Sequence, residues 1–183
     1  MTEPVNPSGA DTAAAAAAAA RFKPSVTVAA IIEDAGSYLL VEEHTAEGLR
    51  LNNPAGHLEQ GESPLEAVCR EVLEETGCRF EPQALLGVYL SRFWRPASGE
   101  DVTYLRLAFV GRAGPPDPAR ALDVGIVRAL WLTVDEIRAS RALHRSPLVL
   151  QCIEDHLVGR RYPLAVLTTD PTVLHPEVKE PRP

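Results

Sequence analysis

Residues Gly56–Cys78 read GHLEQGESPLEAVCREVLEETGC, and they crowd carboxylates around one helix start. Ser63 suits the N-cap, Pro64 the first helical position and Glu66 the third position of a capping box. Gly77 stands where a left-handed C-cap ends a helix. The stretch therefore predicts a helix from Pro64 to about Thr76. On a wheel of about 100° per residue, Glu71, Glu74 and Glu75 share an arc of about 100°. Leu65, Val68, Cys69, Val72 and Thr76 form a separate apolar stripe, and Arg70 flanks Glu74. Like charges three and four apart repel by about 0.2–0.5 kcal/mol per exposed pair, and by more in a cleft. A hard divalent cation would remove that conflict, and clustered carboxylates suit Mg²⁺ or Mn²⁺. A solvated acidic helix face is the competing reading of the cluster taken alone.

Outward from the helix, Val26–Ile32 is rich in β-branched residues and reads as a strand. Asp34-Ala35-Gly36 is a turn, and Ser37–Glu43 is the returning strand. Leu49–Asn53 suits a short third strand and Asn53–Gly56 a loop. Leu85–Phe93, Val102–Val110 and Val127–Leu132 are strand-like, with Gly111–Pro118 a Gly/Pro-rich connection. Thr133–Glu136 is a second capping box, and Ser146-Pro147 opens a last helix ending near Gly159. The expected fold class is α/β (α+β): a mixed β-sheet with helices on its faces.

The 183 residues, 45% apolar and 23% charged, fit one globular domain with a real core. Residues 1–21, with eight consecutive alanines, read as a low-complexity disordered tail. The expected domain spans 22–167, and 168–183 is a Pro-rich tail. A net charge of −7 argues against a nucleic-acid partner bound through a broad basic surface. No run approaches the ~18 apolar residues of a membrane span. Cys69, Cys78 and Cys152 are odd in number and fit no zinc spacing, which points to reduced thiols and a cytoplasmic protein. Cys69 is expected in the core.

The spacing from Gly56 goes further. Gly56, Glu62, Arg70, Glu71, Glu74, Glu75 and Gly77, with apolar Val72 between, match the signature of the Nudix hydrolases at every defining position. A chance match is on the order of 10⁻⁷ per chain at ordinary residue frequencies. FKPSVTVAAI, YLLVEE, NNPAGHLEQGES, VTYLRLAF, RALWLT, RSPLVL and GRRYPL resemble a bacterial phosphatase branch of that family, over Phe22–Leu167.

The resemblance implies a Nudix fold and a divalent-metal hydrolase, with Glu71, Glu74, Glu75 and the Gly56 carbonyl as metal ligands. Glu71, Glu75 and Arg70 are then the catalytic residues, Arg70 orienting the ligand carboxylates. Gly56 would supply a backbone shape that a side chain blocks. Glu71 is the first choice of general base; Asp123, or Glu100 and Asp101, is the alternative. Lys23, Arg106 and His57 are candidate phosphate contacts; the competing readings are an outward, solvated arginine for Arg106 and a loop histidine with no such role for His57. Phe93 and Trp94 could stack on a ring. Arg145, Arg160 and Arg161 receive no task.

The branch resembled acts on nucleoside tri- and diphosphates and on hydroxymethylpyrimidine diphosphate. ADP-ribose or dinucleoside polyphosphates are the alternative substrates. A nucleotide sensor without catalysis is a third reading, disfavoured because no box carboxylate is missing. The expected partner is a small nucleotide or diphosphate, and the expected state a monomer.

Overall fold

The computed structural model describes residues 22–95 and 99–175. The expected tail 1–21 and the end of the chain from 176 lie outside the described residues. Seven strands run β1 (Ser25–Asp34), β2 (Ser37–Thr45), β3 (Gly48–Asn52), β4 (Ala55–His57), β5 (Cys78–Arg95), β6 (Glu100–Pro116) and β7 (Ile126–Thr133). The α-helices among the described residues are α1 (Pro64–Thr76), α2 (Val134–Ala139), α3 (Leu148–Leu157) and α4 (Pro171–Leu174). This is the mixed sheet with helices on its faces that the sequence predicts.

β1 is the axis. It runs parallel to β6 from Ser25↔Tyr104 to Ile32↔Gly111 and antiparallel to β4 at Thr27↔His57, Val28↔Gly56 and Ala29↔Ala55. Its pairing with β2 covers only Glu33↔Tyr38 and Asp34↔Ser37 beside the turn. β2 then leaves β1 to pair with β3 on one side and β7 on the other. The sheet thus has two halves joined at a short hairpin.

The run VAAII is apolar without interruption because β1 is buried on both faces. Successive side chains point to opposite faces. Ala29 and Ile31 join a cluster with Tyr38, Leu40, Ile137, Val149 and Ile153 under α2 and α3. Val28, Ala30 and Ile32 join Leu39, Phe109 and the α1 residues Ala67, Val68 and Val72. Cys69, expected in the core, is half-buried at the margin of this second cluster, its thiol donating to the Phe80 carbonyl.

The expected Gly111–Pro118 connection is instead strand as far as Pro116, paired with an equally extended β5. Glycine marks a close approach here: a Cβ at Gly111 would lie 2.2 Å from the Glu81 carbonyl. The register shifts beside it, between Pro82 and Ala84, as at a bulge. Ala55–His57, which begins within the expected Asn53–Gly56 loop, forms β4. The last long helix begins at Leu148, with Pro147 at its N-cap and no side-chain cap. In the expected C-terminal tail, Asp170 caps the short α4.

Candidate active site

α1 is set by its ends. Ser63 Oγ accepts from the Glu66 amide at 3.2 Å, and the Glu66 carboxylate accepts from the Ser63 amide at 2.8 Å, closing the capping box. At the other end Gly77 has φ 70° and donates to the Leu73 carbonyl at 3.0 Å. The apolar stripe packs under the sheet, which turns Glu71 and Glu75 toward β4. Both are buried, each 8% exposed.

Glu75 Oε2 accepts from the Ala55 amide at 2.8 Å. Burial pushes its carboxyl up to about 8 against that bond, and the nearby Glu71, Glu43 and Asp123 add to the rise. Burial likewise raises Glu71, with Arg70 opposing. Glu71 reaches Gly56 closely: a Cβ there would lie 2.1 Å from its carboxylate. Gly56 is not among the glycines with positive φ. The expected reason for this glycine, a special backbone shape, is corrected: it is needed for space.

Arg70 binds the cluster together. Its Nε and Nη2 donate to both oxygens of Glu62, at 3.0 and 2.8 Å. Nη1 donates to Glu71 Oε1 at 2.8 Å and Glu74 Oε2 at 3.0 Å, and Nη2 also to the His57 carbonyl at 3.0 Å. All five guanidinium N–H groups thus have acceptors. The pairing with Arg70 holds Glu62 below the usual carboxylate range.

The donor set can be tested against a divalent cation. Among the described residues, no three acidic, His or Cys side chains close into a ready-made cage. What is present is a row of hard oxygens, two of them on desolvated carboxyls raised above their ordinary range, beside a glycine whose missing Cβ leaves them room. Mg²⁺ suits such a partial set, because it keeps waters and takes substrate phosphate oxygens as further ligands. The residues therefore fit the ion.

A cleft of about 700 Å³ opens beside the cluster and includes Ala55 and Gly56. Along one row of the sheet, His57, Thr27 and Arg106 stand side by side on β4, β1 and β6. All three line the cleft, and Arg106 Nη1 is enclosed without an acceptor. The His57 ring lies 6.1 Å from that of Tyr104, which lies 6.0 Å from Phe93. Trp94 and Glu100 complete that wall.

Other expected residues fall elsewhere. Lys23 is exposed ahead of β1 and does not line the cleft. Asp101 forms an ion pair with Arg92 on the far side of the hairpin. Asp123 stands beside the cluster, its amide donating to the Glu74 carbonyl at 3.0 Å. Arg145 lines the cleft and donates to Glu43 Oε2 at 2.7 Å. Arg160 pairs with Asp155 at 3.0 Å, and Arg161 contacts His156 at 2.8 Å.

Sequence reasoning missed Glu43, Asn52, Ser91 and Ser146, all of which line the cleft. For Glu43 a signal existed: a carboxylate follows closely on a strand whose residues Tyr38–Val41 are all buried.

Comparison with known proteins agrees with this geometry. The NUDIX domain model matches residues 21–152. Phosphatase NudJ of Escherichia coli (strain K12) is 37% identical over 147 residues, covering 80% of this chain and 92% of that protein. A NUDIX hydrolase from Nitrosomonas europaea superposes with a TM-score of 0.75 at 54% identity, covering 81% of this chain and 98% of that one. A MutT NUDIX hydrolase from Burkholderia pseudomallei shares the fold at 24% identity, with a TM-score of 0.56 over 73% of this chain and 98% of that one.

Proposed function

The chain belongs to the Nudix family of hydrolases, and from that premise we propose that it cleaves nucleoside tri- and diphosphates with the help of Mg²⁺ or Mn²⁺, by attack of water on phosphorus. Hydroxymethylpyrimidine diphosphate falls within the same chemistry. The observation that carries this reading is the pair of desolvated carboxylates, Glu71 packed against Gly56 and Glu75 bonded to the Ala55 amide, beside a cleft lined by an arginine whose Nη1 lacks an acceptor.

Glu71, Glu74, Glu75 and the Gly56 carbonyl would hold the cation. When bound, such an ion neutralises charge developing on the phosphate oxygens and makes a coordinated water more acidic. The side chains do the rest. Arg70 fixes Glu71 and Glu74 through Nη1 and leaves Glu71 Oε2 free to take a proton. The raised affinity of Glu71 for protons favours it as general base over an ordinary exposed carboxylate. The Ala55 amide keeps Glu75 oriented. Arg106 Nη1, buried and without an acceptor, would take a phosphate oxygen, to which a guanidinium is suited. His57 stands in the same row, one strand beyond Thr27. We place the protein in the cytosol, a reading supported by its three free cysteines.

The test is a panel of nucleoside tri- and diphosphates, ADP-ribose and dinucleoside polyphosphates incubated with Mg²⁺, with products separated. Release of phosphate from the nucleotides is expected, reduced by about 10²-fold or more in Glu75→Gln. Wild-type rates in that variant would overturn the assignment of the cluster.

A further inference from the structure

Among the described residues, eight buried side-chain polar atoms lack a partner, and six of them belong to residues lining this one cleft: Thr27, Glu43, Asn52, Ser91, Arg106 and Ser146. A buried polar atom left unmatched is costly. Their gathering in one place outside the carboxylate cluster marks a site shaped for a ligand's polar edge.

The unmatched atoms are not alike. Arg106 Nη1 can only donate, and Arg106 stands in the sheet row beside Thr27, which separates it from His57 on β4. Glu43 Oε1 and Asn52 Oδ1 can only accept when the carboxyl is ionised. They sit on β2 and β3, where Val41 faces Asn52 and Glu43 faces Arg50. Glu43 and Asn52 are therefore diagonal neighbours on one face, within reach of a single ligand group. The other Glu43 oxygen is already satisfied by Arg145 at 2.7 Å. The Arg145 backbone is itself anchored, its amide donating to the Leu51 carbonyl at 2.9 Å.

Burial raises the Glu43 carboxyl, and Arg145 and then a side-chain hydrogen bond from Asn52 oppose that rise, which leaves Glu43 Oε1 and Asn52 Oδ1 as the unmatched acceptors and no call for a second full cation. The site calls for a neutral group with two N–H bonds pointing at two acceptors, which is what an aromatic amine offers. The wall of Phe93, Tyr104, Trp94 and His57 favours a flat ring carrying that amine.

We infer that Glu43 and Asn52 form a specificity subsite that reads an amino group on the ring carried by the phosphates. This rests on the phosphohydrolase reading for the placement of the phosphates, and deepens it by naming the class of ring: amino-substituted rather than oxo-substituted. Cytosine and uracil separate the two cases. Cytosine offers an amino group with two N–H bonds. Uracil offers at the same place a carbonyl oxygen, which the Glu43 carboxylate and the Asn52 oxygen repel.

The experiment measures binding of the α,β-methylene analogues of cytidine and uridine diphosphate by calorimetry, with Mg²⁺ and the full chain. These analogues resist cleavage between the phosphates, so the result does not depend on turnover. The cytidine analogue is expected to bind about tenfold tighter or more, the scale set by one buried acceptor left unmatched. Glu43→Gln keeps an oxygen for Arg145 and turns an amide N–H₂ toward the ring, so the preference should vanish or reverse. Equal binding of both analogues by the wild type, or no binding of either at millimolar concentration, overturns the subsite. So does an unchanged preference in folded Glu43→Gln. The wild-type comparison needs no variant, so a misfolded Glu43→Gln does not protect the inference. Phosphate release from CTP and UTP, run alongside, separates the two readings. Release from both at one rate with equal analogue binding removes the subsite and keeps the hydrolase. Preference in binding without release keeps the subsite and removes the hydrolase.

Discussion

The Glu71 carboxylate rests so closely on Gly56 that a Cβ added to the glycine would lie 2.1 Å from it. Gly56 is also held in register against Val28 of the central strand, so it cannot retreat. Gly56→Ala must therefore displace the Glu71 side chain. We expect kcat to fall by about 10²-fold, as for a catalytic group misplaced by about 1 Å. Circular dichroism should show an intact fold.

Arg70→Lys tests the role of the fork. An ammonium offers three donors on one atom and cannot span Glu62, Glu71, Glu74 and the His57 carbonyl, all of which Arg70 reaches. With Glu71 and Glu74 no longer held apart and aligned, kcat should fall tenfold or more while KM for the nucleotide changes little. A change in KM alone would place Arg70 on the substrate instead.

Cation binding should be visible in thermal melting. In the cation-free protein Glu75 is raised to about 8 from 4.5. The folded state then binds the proton more tightly than the unfolded chain. That contribution to stability is present below about pH 4.5 and is lost as pH rises toward 8. Mg²⁺ needs the deprotonated carboxylate. Its effect on the melting temperature should therefore be larger at pH 8.5 than at pH 6.5; at a hundredfold excess over Kd the ligand adds about 2.7 kcal/mol. Glu75→Gln should flatten both trends. Melting that ignores Mg²⁺ at either pH would count against the ion.

A pH effect of opposite sign comes from His156. Arg161 donates to its Nε2 at 2.8 Å, so the neutral ring keeps its proton on Nδ1, which faces the Tyr38 hydroxyl at 2.7 Å. Burial first, and then Arg161, hold its pKa below the ordinary 6.5; Glu33 opposes weakly. The unfolded chain takes the proton more readily, so stability falls as pH drops through about 6.5. Compared with His156→Gln, the wild type should lose a few degrees of melting temperature between pH 7.5 and 5.5. Parallel curves would show that the ring does not titrate in this window.

The carboxylate helix was legible because everything that shapes it is local. Ser63, Pro64, Glu66 and Gly77 lie within reach of the backbone groups they cap, and the wheel alone separates Val68 and Val72 from Glu71 and Glu75. The cleft was not legible, because its walls meet only through the register of distant strands. Nothing near Glu43 in the chain says that Asn52 will lie diagonal to it, or that Arg145 will turn back across β3 to pair with it. Arg106, chosen as a strand-borne cation near an acidic cluster, lines the cleft. Lys23, chosen by the same reasoning, comes before the sheet begins and stays in solvent. The Gly111 stretch was misread as a connection because close backbone approach and chain reversal call for the same residue.

The halves of the sheet meet at only two paired positions, Glu33↔Tyr38 and Asp34↔Ser37. Arg106 and Gly56 ride on one half, Glu43 and Asn52 on the other. The buried side chains of two shared clusters, Ala29 and Ile31 with Tyr38 and Leu40, and Val28 and Phe109 with Leu39, clamp the halves where backbone pairing does not, so the spacing between Arg106 and Glu43 is a property of the core.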